Sequence, residues 1–337
     1  MSRSGGTERM TAILANALSK KHEVSILNLH GDGNSFFPLE SSVKCLPLPK
    51  KHSRKAIRGF LQKNCVDFSI NVDTGMALFG IPACMGIKTK VITWEHSNFY
   101  NNWGSKWFPY IRRFAARLSD AVVVLTERDK QNYEGNIVRC CQVITIGNPV
   151  ESHKVNYSIE SKTILSAGHL SPIKRFNLIP EIGRIVFERY PDWQWYICGE
   201  GSERQLLEKK ISQFGLERNI ILTGSVKDME KIYRSASMYV MTSEMEGLPM
   251  VLLEAKSYRL PIVSFDIMTG PSEIVRDGVN GYLVESGDIT AMADQICKLI
   301  EQPLLRKRFS DATVLDMNKF DRGEIIRQWE NLLNQLS

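Results

Sequence analysis

Short apolar segments of the strand type alternate with longer segments of helical periodicity along almost the whole chain. The strand-like segments are rich in Val, Ile and aromatic residues and are bounded by Gly, Pro, Asn or Asp. This alternation predicts parallel sheets with helices on both faces, because parallel strands are joined by helical crossovers. The predicted strands cover residues 23–27, 68–72, 90–94, 121–125, 143–146, 163–166, 193–198, 220–222, 238–241 and 261–265.

The number of predicted strands indicates two α/β domains. Five strands fall in each half of the 337 residues, which is too many for one small sheet, and no repeat indicates an eightfold barrel. We therefore expect two doubly wound, Rossmann-like domains joined by a polar linker after Asn148-Pro149. We place the first domain at residues 1–150, the second at residues 151–318 and a C-terminal helical segment at residues 319–337.

The chain opens on a glycine turn, Ser4-Gly5-Gly6, that leads directly into a helical segment over residues 7–20. In a doubly wound domain a glycine turn of this kind follows the first strand. We therefore expect the first domain to lack its first strand, which either leaves the domain functional or compromises it.

Composition excludes several classes of protein. Apolar residues make up 43% of the chain and charged residues 24%, which excludes disordered and collagen-like classes. The longest apolar run, residues 76–87, is shorter than the ~20 residues that span a bilayer. No apolar stretch of the signal-peptide type is present, and the 7 cysteines include no Cys-x-x-Cys pair. We expect a cytoplasmic protein with reduced thiols.

Positive charge is concentrated in the first half. Residues 1–150 hold 20 Lys and Arg against 11 Asp and Glu, and residues 41–66 hold seven cations and no acid. A second group, Arg112, Arg113 and Arg117, follows two tryptophans. Cations beside amphipathic aromatic residues favour binding to an anionic membrane surface, with a solvated basic face as the alternative. No recognition motif accompanies the charge, so we expect no nucleic-acid partner.

The segment 243–255 carries the largest set of residues suited to ligand binding. A predicted strand ends before it, a polar loop follows, and Pro249 stands where proline begins helices well. The backbone N–H groups of Gly247 and Leu248 then lie at the positive end of a helix, which suits a phosphate.

Two carboxylates flank this helix start. Glu246 lies in the loop, and Glu254 lies within an apolar run where a carboxylate is costly unless it is hydrogen-bonded. The alternative is a capped helix with one solvent-facing glutamate.

Other polar groups also follow predicted strands. Lys174 and Arg175 come after a glycine turn and could bind a phosphate, although an exposed basic loop is the alternative. A Gly-x-Gly turn at Gly199 and Gly201 has a structural alternative as well. His96 follows the strand 90–94, at the edge where such folds form clefts, unless it is a structural histidine.

Two further turns occur near the end of the second domain. Gly270 and Pro271 precede a predicted helix whose first turn carries Glu273. Asn280-Gly281 is typical of a hairpin turn.

Together these motifs resemble the family 4 retaining glycosyltransferases of GT-B fold, over essentially the whole chain. The Glu-x7-Glu signature of that family appears as Glu246 and Glu254, between Glu-Gly-Leu-Pro and Leu-Leu-Glu-Ala. The sequences Thr-Gly-Pro-Ser-Glu-Ile at 269–274 and Glu-Gly-Leu-Pro-Met-Val-Leu-Leu-Glu-Ala at 246–255 are most similar to those of bacterial enzymes that assemble O-antigen, capsule or lipid-linked oligosaccharide. Further matches, in the order of the family, are Gly5-Gly6, Leu125-Thr126-Glu127, Asn148-Pro149 and Gly199-x-Gly201.

The resemblance implies the substrates and their places. A UDP-sugar donor binds mostly to the second domain, a lipid-linked saccharide acceptor binds mainly to the first, and the reaction occurs in the cleft with retention, by front-side attack. No cofactor and no metal are expected. The terminal helix would return toward the first domain, against the alternative of packing on its own domain. Such an enzyme would sit peripherally on the cytoplasmic face of the inner membrane.

The resemblance also implies residue roles. Glu254 would bind the ribose hydroxyls, Glu246 the hydroxyls of the donor sugar, Lys174 the pyrophosphate, and His96 the donor sugar or charge near its anomeric carbon. His96, Glu246 and Lys174 are the expected catalytic residues. The expected donor-binding residues are Gly5, Gly6, His169, Lys174, Arg175, Gly199, Gly201, Ser225, Val226, Glu246, Gly247, Leu248, Pro249, Met250 and Glu254.

One departure from the family pattern lies in the second domain. His169 stands where the family usually has Arg, and Arg175 stands where it has Gly; we expect Arg175 to compensate for the weaker pyrophosphate binding of a neutral histidine.

The other departure is the missing first strand, which leaves an N-terminally truncated inactive homologue as an alternative. Further alternatives are a membrane-docking protein and a GT-B nucleotide-sugar epimerase. A nicotinamide dehydrogenase is disfavoured because the first turn lacks Gly-x-Gly-x-x-Gly.

Overall fold

The computed structural model describes residues 5–29, 33–49 and 51–337. It divides into two units, which are Met1–Pro149 with Arg322–Ser337, and Val150–Asp321. We call these unit 1 and unit 2. Each is built of parallel strands and helices, which confirms the predicted α/β class with two doubly wound domains. No helix within the described ranges combines the length and apolarity needed to cross a membrane.

Unit 1 contains two parallel sheets in the part of the chain that the structure describes, one with the order β1-β2 and one with the order β3-β4-β5-β6. The strands are β1 (Ser25–Asn28), β2 (Lys44–Pro47), β3 (Phe68–Val72), β4 (Lys90–Trp94), β5 (Ala121–Val124) and β6 (Gln142–Thr145). The helices are α1 (Gly6–Leu18), α2 (Ser53–Lys63), α3 (Ala77–Cys84), α4 (Phe108–Leu118) and α5 (Glu127–Asn136).

The sheet of unit 1 is split where the sequence predicts a missing strand. Among the described residues β1 pairs only with β2, and β3 pairs only with β4, so each has one open edge. Leu27 of β1 packs against the same apolar cluster as Val91 of β4, which places both sheets on one core. In a doubly wound sheet a strand preceding α1 would lie between β1 and β3. Residues 1–4 lie outside the described residues.

Unit 2 contains a parallel sheet whose described strands follow the order β12-β11-β10-β7-β8-β9. The chain leaves β7 through β8 and β9 on one side and returns at β10 on the other, so the topological switch point lies between β7 and β10. The strands are β7 (Thr163–Ala167), β8 (Gln194–Cys198), β9 (Ile220–Gly224), β10 (Met238–Met241), β11 (Ile262–Asp266) and β12 (Gly281–Glu285). The helices are α6 (Ile179–Arg189), α7 (Arg204–Gln213), α8 (Met229–Ser235), α9 (Met250–Ser257), α10 (Pro271–Ile274), α11 (Ile289–Glu301) and α12 (Pro303–Ala312).

The last helix, α13 (Arg322–Leu336), belongs to unit 1. Trp329 packs edge-on against Trp94 of β4 with ring centroids 5.0 Å apart, and Glu330 pairs with Lys21 at 2.8 Å. The contact of two buried tryptophans fixes this helix to the sheet of unit 1.

One predicted turn is wrong. Asn280-Gly281 does not form a hairpin, because β12 begins at Gly281 and runs parallel to β11, with Gly281 opposite Ile262. A Cβ at Gly281 would lie 2.3 Å from the carbonyl oxygen of Ile262. Glycine is required at position 281 because β12 approaches β11 closely there. The turn before β12 includes Gly278, which has a φ of 70°.

Candidate active site

The switch point of unit 2 brings together the two strand-end loops that hold Lys174 and Glu246. Lys174 ends a short 3-10 turn after β7, and Glu246 lies in the loop after β10. The Lys174 Nζ donates to Glu246 Oε1 at 2.6 Å, and both side chains are largely buried. This is a charge-assisted hydrogen bond between residues 72 apart in the chain.

Hydrogen bonds from both neighbouring loops hold this pair in place. The Thr242 hydroxyl donates to the carbonyl of Lys174 at 2.9 Å, and the Glu244 N–H donates to the carbonyl of Ile173 at 2.8 Å. The Thr269 hydroxyl donates to the carbonyl of Glu246 at 2.6 Å. The backbone on each side of the ion pair is therefore fixed before any ligand binds.

Helix α9 begins beside Glu246, as the sequence predicts. Pro249 is its N-cap and provides no side-chain cap, so the first turn, at the positive end of the helix dipole, suits an anionic ligand. Gly270 packs on this start: its φ is 103°, and a Cβ there would lie 2.5 Å from Pro249 Cδ and 2.8 Å from the Gly247 carbonyl oxygen. Leu248 is buried beneath the turn.

Glu254 has the polar partner that its apolar surroundings require. The Tyr233 hydroxyl, on α8, donates to Glu254 Oε2 at 3.0 Å. The ring of Tyr233 stacks on Tyr258 with centroids 5.0 Å apart. The carboxylate is thus oriented by a buried, packed tyrosine.

The glycine turns after β7 and β8 touch backbone to backbone. A Cβ at Gly199 would lie 1.9 Å from the Gly168 carbonyl oxygen, and one at Gly201 would lie 2.2 Å from the Leu170 carbonyl oxygen. These two predicted donor residues therefore have a packing role, whatever else they bind. Ser225 and Val226 follow β9 directly, at the same carboxyl edge of the sheet.

The two residues that depart from the family pattern differ in their settings. Arg175 has a φ of 49°, and its guanidinium pairs with Glu244 at 2.6 Å and reaches Ser286 at 3.5 Å. The His169 side chain is exposed. Compensation of His169 by Arg175 stays a prediction.

The predicted site residues of unit 1 lie at its own sheet edge. His96 follows β4, packs on Trp94 with ring centroids 4.2 Å apart, and has no hydrogen-bond partner for Nε2 among the described residues. Burial lowers the pKa of His96 to about 3, so it is neutral at pH 7. Helix α1 begins at Gly6, and Gly5 is its N-cap without a side-chain cap.

Sequence reasoning missed an acidic group beside His96. Glu95 is buried and accepts hydrogen bonds from Thr74, Ser97 and Tyr133. Asp73 follows β3 directly. The rule that located His96, a polar residue at the carboxyl end of a strand, applies equally to Asp73 and Glu95. Across the described ranges, no group of three or more His, Cys, Asp or Glu side chains is arranged to hold a metal ion.

Comparison with known proteins decides the family. The family model described as Glycosyltransferase Family 4 matches residues 4–154, and the one described as Glycosyl transferases group 1 matches residues 150–314. A Haemophilus influenzae protein described as an uncharacterized glycosyltransferase is 30% identical, over 98% of this chain and 96% of that protein. The chain belongs to the family 4 glycosyltransferases.

Two further similarities support the assignment of this chain to the glycosyltransferases. The chain is 28% identical to a Campylobacter jejuni enzyme, over 99% of this chain and 96% of that enzyme. That enzyme is named GalNAc-alpha-(1->4)-GalNAc-alpha-(1->3)-diNAcBac-PP-undecaprenol alpha-1,4-N-acetyl-D-galactosaminyltransferase. The crystal structure of Staphylococcus aureus TarM with fondaparinux, alpha-GlcNAc-glycerol and UDP matches with a TM-score of 0.74 and 27% identity. That match covers 84% of this chain and 59% of TarM, and confirms the GT-B fold.

Proposed function

We propose that this glycosyltransferase moves a hexose or N-acetylhexosamine from a UDP-sugar to a lipid-linked saccharide acceptor, with retention, in bacterial surface polysaccharide biosynthesis such as that of O-antigen or capsule. The observation that carries the proposal is the Lys174–Glu246 ion pair beside the uncapped start of α9. A cation, a set of helix N–H groups and a carboxylate are what a sugar diphosphate requires: the cation and the N–H groups bind the phosphates, and the carboxylate accepts hydrogen bonds from the sugar hydroxyls.

The proposed roles follow from this geometry. The diphosphate binds at the N–H groups of α9 and draws Lys174 toward it, which releases the Glu246 carboxylate to accept hydrogen bonds from the donor sugar. Glu254, oriented by Tyr233, binds the ribose hydroxyls. His96, neutral at pH 7, contacts the donor sugar or charge near its anomeric carbon without adding a full charge of its own.

The chemical step is a front-side displacement in this proposal. The acceptor oxygen bonds to the anomeric carbon on the face from which UDP leaves, and the proton of the acceptor hydroxyl passes to the departing phosphate oxygen. Negative charge grows on the β-phosphate as the bond breaks. Lys174 and the α9 N–H groups then stabilise the transition state more than the ground state, and no metal is needed for that role.

The donor and acceptor classes are supported by the relatives. TarM was crystallised with UDP, and the printed name of the Campylobacter jejuni enzyme contains an undecaprenol-linked saccharide. We propose the same two classes for this chain, a UDP-sugar and a saccharide on a polyprenyl lipid.

A lipid-linked acceptor places the enzyme at a membrane, and we propose that unit 1 docks peripherally on the cytoplasmic face of the inner membrane. Unit 1 holds 22 Lys and Arg against 13 Asp and Glu, whereas unit 2 holds 21 against 24. Trp103, Trp107 and Tyr110 are 66%, 73% and 62% exposed, next to exposed Lys106 and Arg113. Exposed aromatic rings with cations match an anionic interface.

One cation that the sequence places in this group does not belong to it. Arg112 is 2% exposed, donates to the carbonyl of Asn101 at 2.7 Å, and lies over the rings of Phe99 and Phe108. It holds the loop before α4 in place rather than facing a membrane.

The experiment that tests the function is a panel of UDP-sugars with a polyprenyl-linked saccharide, run with wild type, Glu246→Ala and Glu208→Ala. Glu208 is an exposed glutamate of α7, away from the β10 loop, and serves as the matched control. We expect transfer by wild type and Glu208→Ala, and a loss of about 100-fold or more in kcat for Glu246→Ala. UDP release should require the acceptor, and NMR of the product should show the anomeric configuration of the donor. Full activity of Glu246→Ala would contradict the site, and UDP release without an acceptor would contradict the transfer reaction.

A further inference from the structure

The loops after β3 and β4 start side by side in unit 1, since Val72 and Trp94 are register partners. The residue after β3 is Asp73, whose N–H donates to the Trp94 carbonyl at 2.9 Å. The backbone N–H of His96 faces the Asp73 carboxylate and acts to lower its pKa. Asp73 therefore stands beside the expected catalytic histidine, at the sheet edge where α/β folds bind ligands.

Asp73 holds an uncommon backbone conformation, with φ 71° and ψ 143°. Residues with a Cβ rarely take this conformation, and holding one there costs about 1–3 kcal/mol. Glycine would take it without that penalty, so the path of the chain does not explain an aspartate at this position. Outliers of this kind concentrate at functional sites, which directs attention to the carboxylate.

The two neighbouring carboxylates differ in their hydrogen bonds. Glu95 is 1% exposed and accepts from the Thr74 hydroxyl, from the N–H and hydroxyl of Ser97 at 2.9 and 2.8 Å, and from the Tyr133 hydroxyl at 3.3 Å. Asp73 is partly exposed and, in the described part of the chain, has only the backbone N–H of His96 acting on its carboxylate as a donor. In its ionised form, which predominates above its pKa of about 7, this carboxylate has about four acceptor positions, so Asp73 retains capacity for a ligand.

The charges around Asp73 limit which ligand fits. Burial, with Glu95 next and Glu8 more weakly, raises the pKa of Asp73 to about 7. A region that holds these carboxylates repels a diphosphate but suits a neutral hydroxyl donor. Nε2 of His96 and Nε1 of Trp94 are enclosed without a hydrogen-bond partner among the described residues, and a bound molecule is one explanation for buried polar atoms of that kind.

We propose that the Asp73 carboxylate accepts a hydrogen bond from a hydroxyl of the saccharide acceptor. The inference rests on the proposed transfer to a saccharide, and it adds the residue of unit 1 that holds that substrate. The carboxylate could equally bind a hydroxyl of the donor sugar. The experiment therefore measures the effect on each substrate separately.

The test measures KM for the acceptor and for the UDP-sugar in Asp73→Gly and Asp73→Asn. Asp73→Gly suits the observed φ and removes only the carboxylate, so it should fold, with an unchanged or higher unfolding temperature. We expect the acceptor KM to rise about 10- to 100-fold in Asp73→Gly, as for loss of a hydrogen bond to a charged group, while the UDP-sugar KM stays within about twofold. Asp73→Asn keeps one oxygen acceptor and should fall between wild type and Asp73→Gly. Asp67→Asn, an exposed acid at the opposite end of β3, should behave as wild type.

Two other kinetic results would overturn the proposal. Two unchanged KM values in a folded Asp73→Gly variant remove Asp73 from the substrate site. A rise confined to the UDP-sugar KM assigns Asp73 to the donor sugar instead. If wild type transfers from no UDP-sugar, the proposed function fails by itself; equilibrium binding of the free acceptor saccharide to wild type and Asp73→Gly then still tests Asp73, and equal affinities overturn it.

Discussion

Arg175 occupies a backbone conformation that suits glycine, with a φ of 49° between two short 3-10 turns. A non-glycine residue is strained there by about 1 kcal/mol. Its guanidinium meets Glu244 Oε1 at 2.6 Å, although an ion pair this exposed contributes only about 0–1 kcal/mol. The two effects nearly cancel, so stability alone does not explain an arginine at this position.

Replacing Arg175 by glycine therefore tests a role in donor binding. We expect the unfolding temperature of Arg175→Gly to stay close to that of wild type, because relief of backbone strain offsets the lost ion pair. If Arg175 binds the pyrophosphate and so compensates for weak binding by His169, the UDP affinity of Arg175→Gly, measured by calorimetry, should be about tenfold lower than that of wild type. Arg175→Lys, which keeps the charge and the strain, is the matched control. An unchanged UDP affinity in Arg175→Gly would end the idea of compensation.

At this scale the sequence predicts which residues are polar at strand ends, but not their partners. The need of Glu254 for a hydrogen bond follows from its apolar neighbours, yet the donor, Tyr233, lies on a different helix and 21 residues away. The Lys174–Glu246 contact likewise depends on the order of β7 and β10 in the sheet. Periodicity carries no information on that order, so the pair could be assigned to one site only through the family resemblance.

All the buried central strands were predictable from the sequence, and so were the edge strands β1, β3, β6 and β9; the strands missed are two partly exposed edge strands. Every residue of β5 and β10 is buried, and such continuous apolar runs are the signature of central parallel strands. The two strands that the pattern misses, β2 and β12, pair on one side only within the described ranges and are partly exposed. β2 also ends on a proline, which favours an edge position.

The backbone contact between the turns after β7 and β8 predicts that a substitution at Gly199 destabilises unit 2. In Gly199→Ala the new Cβ would overlap the Gly168 carbonyl oxygen, which is backbone and cannot rotate away, and the φ of 148° at Gly199 is unfavourable for alanine. We expect unit 2 to lose more than about 2 kcal/mol of unfolding free energy, measured by urea denaturation, together with UDP affinity. Gly59→Ala, on α2 with open space around it, should be neutral or slightly stabilising. Wild-type stability and UDP binding in Gly199→Ala would show that the two turns are not held in contact.

Over the whole molecule, the sequence and the structure agree on an uneven distribution of charge. Unit 1 carries nine more basic than acidic residues, and unit 2 carries three more acidic than basic. Each cation near an anionic lipid surface contributes about 1 kcal/mol, which falls off within a Debye length of about 10 Å at 0.1 M salt. The free energy of membrane binding by unit 1 would therefore have two parts. Salt weakens the electrostatic part, but it leaves unchanged the part that comes from inserting exposed aromatic rings into the lipid.

These two terms can be separated with vesicles. We expect wild type to pellet with vesicles of anionic phospholipid at low salt, to be released progressively as salt rises toward 0.5 M, and to bind neutral phosphatidylcholine vesicles far more weakly. Trp107→Ala should weaken anionic binding about tenfold, because it removes a 73% exposed ring that would insert at the interface, without changing the slope of affinity against salt. Arg113→Glu should reduce that slope as well. Leu304→Ala, at an 82% exposed apolar residue of the acidic unit 2, should leave binding unchanged. An equal loss of vesicle affinity in Leu304→Ala and Trp107→Ala would mean that any exposed apolar residue contributes to binding. If wild type does not pellet with anionic vesicles at low salt, the proposal that unit 1 docks on the membrane is wrong.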